Sequence, residues 1–278
     1  MRGTSLAGRA IAGALSASLI ALFVLPLVAL FLYSGWGGLA FAVGSAGFRT
    51  TIEFTLLASG LAVALGLLTG IPLGYALARF QFPGKAVVQS IVTIPVVVPH
   101  LIVGIALLLL FAPTGPVGAF VASAGIPVFD AIWGVVLVML YVGSSYVVLT
   151  SELAFRSVDE EVLEAARSLG AGPGEAFATV TLPTAARGIL TGALLMWARG
   201  VSEVGGFLVL AYTVYPSPPW GGPPTQPSSI WIYNYWGINP VDAAGASALL
   251  VLVALAIFLI VRLVDRSGLG WARGGWFS

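Results

Sequence analysis

Six long apolar stretches, separated by short polar segments, dominate the hydrophobic pattern of this chain. A membrane-spanning helix needs about 20 mostly apolar residues, and each stretch reaches that length. Backbone polar groups in lipid must be satisfied within their own segment, so runs this long predict helices and not barrel strands. The pattern therefore predicts an all-α membrane protein, a single transmembrane domain over residues 1–278 with six transmembrane helices. The predicted spans are about 10–33, 52–78, 86–111, 131–151, 187–212 and 243–264.

The composition supports a lipid environment for most of the chain. Apolar residues make up 59% of the 278 residues and charged residues only 8%, whereas soluble domains carry about 25% charged residues. The net charge of +1 gives no indication of a nucleic-acid partner. Cysteine is absent, which excludes disulfides and thiolate metal sites, and His100 is the only histidine. We expect neither a metal nor a cofactor.

The positions of the basic residues predict the orientation in the cell membrane. Cytoplasmic loops carry an excess of Lys and Arg, and a cytoplasmic N-terminus places ten of the twelve basic residues on that side. We therefore expect a multi-pass protein of the plasma membrane with both termini in the cytoplasm. The first stretch is longer than the apolar region of a signal peptide, about 7–15 residues, so we expect it to be retained. The ten residues are Arg2, Arg9, Arg79, Lys85, Arg156, Arg167, Arg187, Arg262, Arg266 and Arg273.

The segment from Glu164 to Pro183 is polar, unlike the apolar chain around it, and its residues favour a helix. Just before it, Ser157 and Glu160 have the S-x-x-E spacing of a capping box, and Gly170 is placed to stop a helix. These signals predict a short helix over about 158–169. A helix of this length is marginal alone in water, so it needs a surface, which either the rest of this chain or a partner protein could supply.

The spacing within this segment resembles the cytoplasmic signature of binding-protein-dependent ABC transporter permeases. That signature reads E-A-A, three residues, Gly, nine residues, Ile, one residue, Leu-Pro, and this chain departs from it only at Val180. The resemblance implies a type I ABC importer permease-like fold in which residues 155–183 hold a cytoplasmic coupling helix that docks on a separate ATPase subunit. The matching residues are Glu164, Ala165, Ala166, Gly170, Leu182 and Pro183.

Three further stretches resemble one branch of that family, the permeases for sulfate, molybdate and tungstate. They are Ile94–Gly104, Gly115–Gly118 and Trp197–Gly206, and the S-E-V-G sequence in the last is closest to the molybdate and tungstate members. Gly206 stands where Ala is usual. The resemblance implies a homodimeric pore, two ABC ATPase subunits and an extracytoplasmic oxyanion-binding protein. The chain has no G-x-x-x-x-G-K-[ST] phosphate loop, so we expect no ATPase site of its own.

Arg199, Ser202 and Glu203 are candidate pore or gate residues within the predicted fifth span. A charge at that depth is costly, and residues four apart on a helix share a face. Arg199 could contact a passing oxyanion, or the Arg199–Glu203 pair could lock the span in place. We favour the structural or gating interpretation, because a carboxylate beside the path would repel an anion. His100, beside Pro99, is expected to be an interfacial or capping residue.

Two alternatives stay open at this point. The chain could be a permease for sulfate or another small solute, or an ion-coupled secondary transporter. The second alternative needs carboxylates within the spans for ion coupling, and Glu203 is the one candidate deep within a span. The outer loop Val214–Asn239, rich in proline and aromatic residues, is expected to lie at the membrane interface and to meet the binding protein.

Overall fold

The computed structural model describes residues 6–266, and the side chains of residues 8–263. Helices make up most of this range, which contains no β-strand and only two isolated β-bridges. Arg2 and Arg273, used in the orientation prediction, lie outside it. In chain order the helices are α1 (Leu6–Gly44), α2 (Ala46–Arg79), α3 (Lys85–Val97), α4 (His100–Phe111), α5 (Gly118–Ser123), α6 (Ile132–Arg156), α7 (Glu160–Ser168), α8 (Pro173–Ala176), α9 (Leu182–Val201), α10 (Gly205–Leu210), α11 (Ser228–Trp236) and α12 (Pro240–Arg266).

Four of the described helices, α1, α2, α6 and α12, are long and apolar enough to cross a membrane. They correspond to the first, second, fourth and sixth predicted spans. The pair α3 and α4 would make a fifth span if it crosses as one bent unit. The all-helical fold class is confirmed, while the count of six spans and their boundaries stay predictions.

The third predicted span, 86–111, is not one continuous helix. α3 and α4 are bent by 113° at a break formed by Val98 and Pro99. Proline disfavours helical backbone in the residue before it, and Val98 is extended, with φ −69° and ψ 130°. The break places His100 at the first position of α4.

The fifth predicted span, 187–212, is also interrupted. α9 ends at Val201, and the short helix α10 begins at Gly205 after a three-residue break. α9 is absent from the described helices that are apolar enough to span a membrane alone. It carries Arg187 and Arg199, which lower its hydropathy. A π-helical turn, Phe177–Thr181, joins α8 to α9.

The chain packs as two compact units. One comprises the chain up to Arg49 together with Trp231–Val253. Within it, the rings of Phe48 and Trp231 lie 4.8 Å apart, and Trp231 stacks on Tyr235 at 4.4 Å.

The other unit comprises Thr50–Ile230 and the chain from Ala254, and it contains all the candidate site residues. Its core is built mainly from α2, α4, α6, α9 and α10, with Phe54, Met139, Met196 and Phe207 almost fully buried. Small residues allow α2 to pack closely on α6. A Cβ at Gly70 would lie 2.9 Å from Val147 Cγ1.

Candidate functional site

Helix α7 lies within the predicted coupling region and exposes most of its surface. Leu163 is its one buried residue, at 5% exposure, and packs the helix against the rest of the unit. Glu164 and Ala165 are exposed and Ala166 is half-buried. Leu169, just past the end of the helix, is 89% exposed. An apolar residue this exposed is available to a partner surface.

The predicted capping box at the start of α7 is wrong. Ser157 Oγ donates a hydrogen bond back to the carbonyl oxygen of Ala154 at 2.8 Å, in the last turn of α6. The residue before α7 is Asp159, and no side-chain cap bond is formed there. Ser157 therefore closes the preceding helix and leaves the start of α7 to other groups.

Arginine side chains hold the start of α7 instead. Arg79, at the end of α2, donates to Glu160 Oε2 at 3.0 Å and to the carbonyl oxygen of Val158, also at 3.0 Å. Arg167 donates to the other oxygen of Glu160 at 3.3 Å. The Glu160 carboxylate thus faces arginines and does not fold back on the helix terminus. α7 is tied to the end of α2 by this contact.

The predicted stop at Gly170 is confirmed. Gly170 has a φ of +95°, a left-handed conformation that favours glycine. Its N–H donates to the carbonyl oxygen of Arg167 at 2.9 Å, and the N–H of Ala171 donates to the carbonyl oxygen of Ala166 at 3.1 Å. This is the hydrogen-bond pattern of a Schellman motif. The chain reverses here and enters α8.

Leu182 and Pro183 lie apart from the other four predicted docking residues. Both are half-buried at the start of α9, where they line an apolar groove of about 450 Å³ with Leu67 and Ile189. Leu182 also packs against the small buried cluster of Phe155, Ala185 and Ile189. These two residues anchor the connection to α9, and the exposed part of the motif is on α7 and at Gly170.

Arg199 and Glu203 form an ion pair, and the structure adds His100 to it. Glu203 Oε2 lies 3.2 Å from Arg199 Nη2 and 2.9 Å from His100 Nδ1. Arg199 Nη2 also contacts the imidazole, at 2.6 Å from Nδ1. We call these three residues the charged cluster. It lies where the α3–α4 break and the α9–α10 break meet.

Burial differs sharply within the charged cluster. The side chain of Glu203 is 0% exposed, that of Arg199 18% and that of His100 39%. Glu203 Oε1 accepts the backbone N–H of Gly206 at 2.7 Å, and its carbonyl oxygen accepts Ser229 Oγ–H at 2.5 Å. Ser202 is exposed beside the cluster, and its Oγ lies 3.5 Å from Arg199 Nη1. The buried carboxylate is therefore fully paired.

Gly206, the departure from the usual Ala, has a packing reason in this chain. A Cβ at Gly206 would lie 2.6 Å from Val138 Cγ1 and 3.3 Å from Glu203 Oε1. On the other side, a Cβ at Gly104 would lie 2.9 Å from the Cα of Gly206. α4 and α10 cross here with their backbones in close contact. The two glycines fix the helices that carry the charged cluster.

A second buried carboxylate, missed in the sequence analysis, lies at the end of α6. The side chain of Glu152 is 8% exposed and pairs with Arg156, with 2.7 Å between Oε1 and Nη2. Gln89 of α3 donates to the same oxygen at 2.9 Å, and Arg156 reaches the carbonyl of Leu77 in α2 at 3.2 Å. In the sequence, the i, i+4 spacing of Glu152 and Arg156 is the signal from which this ion pair could have been predicted. The contacts join α2, α3 and α6.

Asp130 is a half-buried acid outside the helices, in the loop before α6. Burial raises the pKa of its carboxyl, and backbone hydrogen bonds from Thr213 and Tyr212 oppose that rise. Its backbone is also paired, with its N–H on the carbonyl of Leu210 and its carbonyl accepting from Tyr215. Asp130 thereby ties the start of α6 to the segment after α10. Within the part of the chain that the structure describes, no group of three or more acidic, His or Cys residues could hold a metal ion.

The chain belongs to the family described as "Binding-protein-dependent transport system inner membrane component", which it matches over residues 70–267. It is therefore a multi-pass membrane protein of the permease class. The family resemblance drawn from the E-A-A segment is confirmed.

Named relatives are similar over most of their length. The chain is 37% identical to "Molybdate/tungstate transport system permease protein WtpB" of Pyrococcus furiosus over 218 residues, 78% of each chain. It is 35% identical to a "Probable molybdenum ABC transporter permease protein" of Haloferax volcanii, over 89% of this chain and 86% of that one. A "Sulfate transport system permease protein CysW" of Synechocystis is 27% identical over 89% of each chain.

A solved structure has the same fold. The chain superposes with a TM-score of 0.67 on a chain of "Crystal structure of bacterial alginate ABC transporter in complex with alginate pentasaccharide-bound periplasmic protein". The sequence identity is 19%, and 92% of this chain and 93% of that one are covered. The predicted type I importer permease-like fold is confirmed.

Proposed function

We propose that this chain is the permease subunit of an ATP-driven importer for molybdate or tungstate. The observation that carries the proposal is the identity of 37% and 35% to permeases named for molybdate, tungstate or molybdenum, against 27% for a sulfate permease. The S-E-V-G sequence at Ser202–Gly205 favours the same branch. The chain itself carries no phosphate loop for ATP, so the energy comes from a separate subunit.

Helix α7 is the proposed docking surface for the ATPase subunit. It has an exposed face around Glu164 and Ala165, a firm stop at Gly170, and a tie to the membrane helices through Arg79 and Glu160. When two ATPase subunits close on ATP, a docked α7 moves with them. Its packing through Leu163 and its contact with α2 carry that movement into the bundle. Residues 155–183 then lie in the cytoplasm, with both termini.

A second copy of the chain completes the proposed pore. Helix α4 exposes large apolar residues, among them Leu101, Ile102 and Leu109, at 50%, 53% and 71%. Lipid or the partner copy can cover such a face. In a homodimer, the other subunit would cover part of it. On the opposite side of the membrane, the substrate-loaded binding protein would meet the loop from Val214 to Asn239, where Tyr215 is 58% exposed.

Uptake into proteoliposomes tests the substrate. The permease is reconstituted with its ATPase subunit and binding protein, and uptake of molybdate, tungstate and sulfate is measured with ATP present. We expect molybdate and tungstate to compete with each other for uptake and sulfate to compete poorly. Preferred uptake of sulfate, or of another solute, would assign the chain to the alternative branch.

Copurification of the ATPase subunit tests the docking surface. Glu164→Arg and Gly170→Trp are expected to abolish copurification, because both change the exposed part of the E-A-A motif. Gly84→Trp is a matched control, since Gly84 also has a positive φ, of +83°, and a Cβ added there would meet no atom within 4 Å. Glu53→Arg is the matched exposed charge reversal on the predicted outer side. Retention of the ATPase by both motif variants would contradict docking on α7.

The ion-coupled secondary transporter remains the second candidate. Glu203 is a fully buried carboxylate next to His100, a pair of groups that could exchange a proton. Its carboxylate is also fixed by Arg199 and by the amide of Gly206, which favours a structural role. Uptake driven by a proton gradient without ATP would support this candidate.

A further inference from the structure

We propose that Glu152 is a positioning residue for transport. It fastens α3 to the helix ends that support α7, so that a movement of α7 reaches the bent pair α3 and α4. This inference rests on the proposed function, because it concerns how movement of the ATPase subunit enters the bundle. The contact between Arg79 and Glu160 takes that movement as far as α2, and the contacts of Glu152 extend it to α6 and α3.

The ends of α2 and α6 are joined by two arginines that reach in opposite directions. Arg156, the last residue of α6, donates to the carbonyl oxygen of Leu77 in the last turn of α2, at 3.2 Å. Arg79, the last residue of α2, donates to the carbonyl oxygen of Val158, just beyond α6, at 3.0 Å. Arg79 also holds Glu160 at the start of α7. A displacement of α7 therefore acts on both α2 and α6.

One oxygen atom of Glu152 connects these helix ends to α3. Glu152 Oε1 accepts hydrogen bonds from Arg156 Nε at 3.1 Å, from Arg156 Nη2 at 2.7 Å and from Gln89 Nε2 at 2.9 Å. Hydrogen bonds to an ionised acceptor are about twice as strong as bonds between neutral groups. Because Arg156 Nη2 donates both to Glu152 and to the carbonyl oxygen of Leu77, the carboxylate holds the arginine in the orientation that reaches α2. Gln89 is held at the same point.

The position of Gln89 within α3 gives the contact its consequence. Gln89 lies in the second turn of α3, and one turn further along Ser145 of α6 donates to the carbonyl oxygen of Val92 at 2.6 Å. Both contacts precede the bend at Val98 and Pro99, beyond which the chain continues as α4. Hydrogen-bond networks and rigid helices carry coupling between distant sites. The bond between Gln89 and Glu152 therefore transmits displacement of the α6 end to the start of α3, and through the bend to α4.

The test measures molybdate uptake per ATP hydrolysed by the reconstituted complex of permease, ATPase subunit and binding protein. Gln89→Met keeps the length of the side chain and removes its hydrogen-bond donor. We expect uptake per ATP to fall about three- to tenfold, an effect of the size that changes along a coupling network produce. The ATPase subunit should still copurify, and ATP hydrolysis stimulated by the loaded binding protein should stay near the wild-type rate. A fall in uptake and hydrolysis together would indicate a merely structural role and overturn the inference.

An exchange of the two side chains tests the contact itself. Gln89→Glu alone brings two carboxylates together and should lower uptake per ATP. Adding Glu152→Gln restores an amide–carboxylate hydrogen bond between the two positions and keeps an acceptor oxygen for Arg156, so we expect uptake per ATP to recover. Gln81→Met is the matched control for Gln89→Met, because Gln81 is an exposed glutamine between α2 and α3, and it should leave uptake per ATP unchanged.

The outcomes separate this inference from the proposed function. Wild-type uptake per ATP in both Gln89→Met and Gln89→Glu would overturn the role of Glu152. An exchange variant with no more uptake per ATP than Gln89→Glu would overturn it as well. Absence of ATP-dependent oxyanion uptake by the wild-type complex would instead overturn the proposed function, and this inference with it.

Discussion

Two arginine–glutamate systems of this protein have similar distances and different burial. Glu203 is 0% exposed and lies 3.2 Å from Arg199, whereas Glu160 is 54% exposed and lies 3.0 Å from Arg79 and 3.3 Å from Arg167. Breaking a buried pair leaves an uncompensated charge and costs about 3–5 kcal/mol. Exposed pairs contribute about 0–1 kcal/mol. Distance alone therefore does not tell which pair matters for stability.

The difference in burial also separates two roles. The charged cluster holds α4, α9 and α10 together at two helix breaks. The Glu160 contacts hold the short helix α7 against the end of α2 at the surface. We infer that the first sets the stability of the bundle and that the second sets the orientation of α7. Single substitutions can separate these roles.

The largest expected effect comes from Glu203→Ala. Removing the carboxylate leaves Arg199 and His100 close together without a counter-charge, so we expect a loss of about 3–5 kcal/mol in the free energy of unfolding. Thermal unfolding of the purified permease in one detergent measures the change. The double variant Arg199→Gln with Glu203→Gln should recover part of the loss. An unchanged unfolding temperature in Glu203→Ala would refute the importance of burial.

Glu152→Ala tests an intermediate case. Glu152 is buried, but its partner Arg156 is 45% exposed and can reach water after the substitution. Gln89 would lose its acceptor as well. We expect a loss of about 1.5–3 kcal/mol, the range for hydrogen bonds to charged groups, measured by the same thermal unfolding. A loss of stability as large as that of Glu203→Ala would show that the exposure of Arg156 does not reduce the cost of removing its carboxylate partner.

Gly170→Ala isolates the stop of α7. The added methyl group meets no atom within 4 Å, so the cost comes from the positive φ of +95° alone. A left-handed conformation costs an L-residue about 1–2 kcal/mol. Gly172→Ala is the control, because Gly172 has a φ of −68° and equally open space. Equal ATPase copurification by both variants would argue against a need for the sharp turn.

The smallest expected effect belongs to Arg167→Ala. Glu160 keeps its hydrogen bond to Arg79, and both partners of the lost contact are 54% exposed. We expect a change below about 0.5 kcal/mol and wild-type unfolding in the same thermal assay. The companion substitution Arg79→Gln should leave stability near wild type and lower transport per ATP. A large loss of stability in Arg167→Ala would remove the distinction between the two systems.

The local features of the fold were predictable from the sequence. Apolar runs identified the long helices, and Gly170 with the E-A-A spacing located the end of α7. The bend within the third predicted span was missed because the hydropathy is continuous across Pro99, although the proline itself signals a break. The interruption after Val201 carries no such signal. Its backbone is stabilised by Glu203 reaching the amide of Gly206 and by Ser229.

The errors at the candidate site come from contacts between residues far apart in sequence. The capping box at Ser157 is locally consistent, but Arg79, 81 residues before Glu160, takes that carboxylate. His100 lies 99 residues from Arg199 and has no local pattern to connect it to the fifth span. The i, i+4 pairing of Arg199 and Glu203 was predictable because the spacing itself sets it. The contact of His100 with this pair becomes visible only in the folded structure.

The energy source of uptake is the most direct test of the central claim. Proteoliposomes containing the permease and its ATPase subunit, with the loaded binding protein outside, are supplied internally with ATP, with a non-hydrolysable ATP analogue, or with an imposed proton or sodium gradient alone. We predict accumulation of molybdate or tungstate with ATP only, and none with Gly170→Trp. Accumulation driven by an ion gradient without ATP would contradict the account.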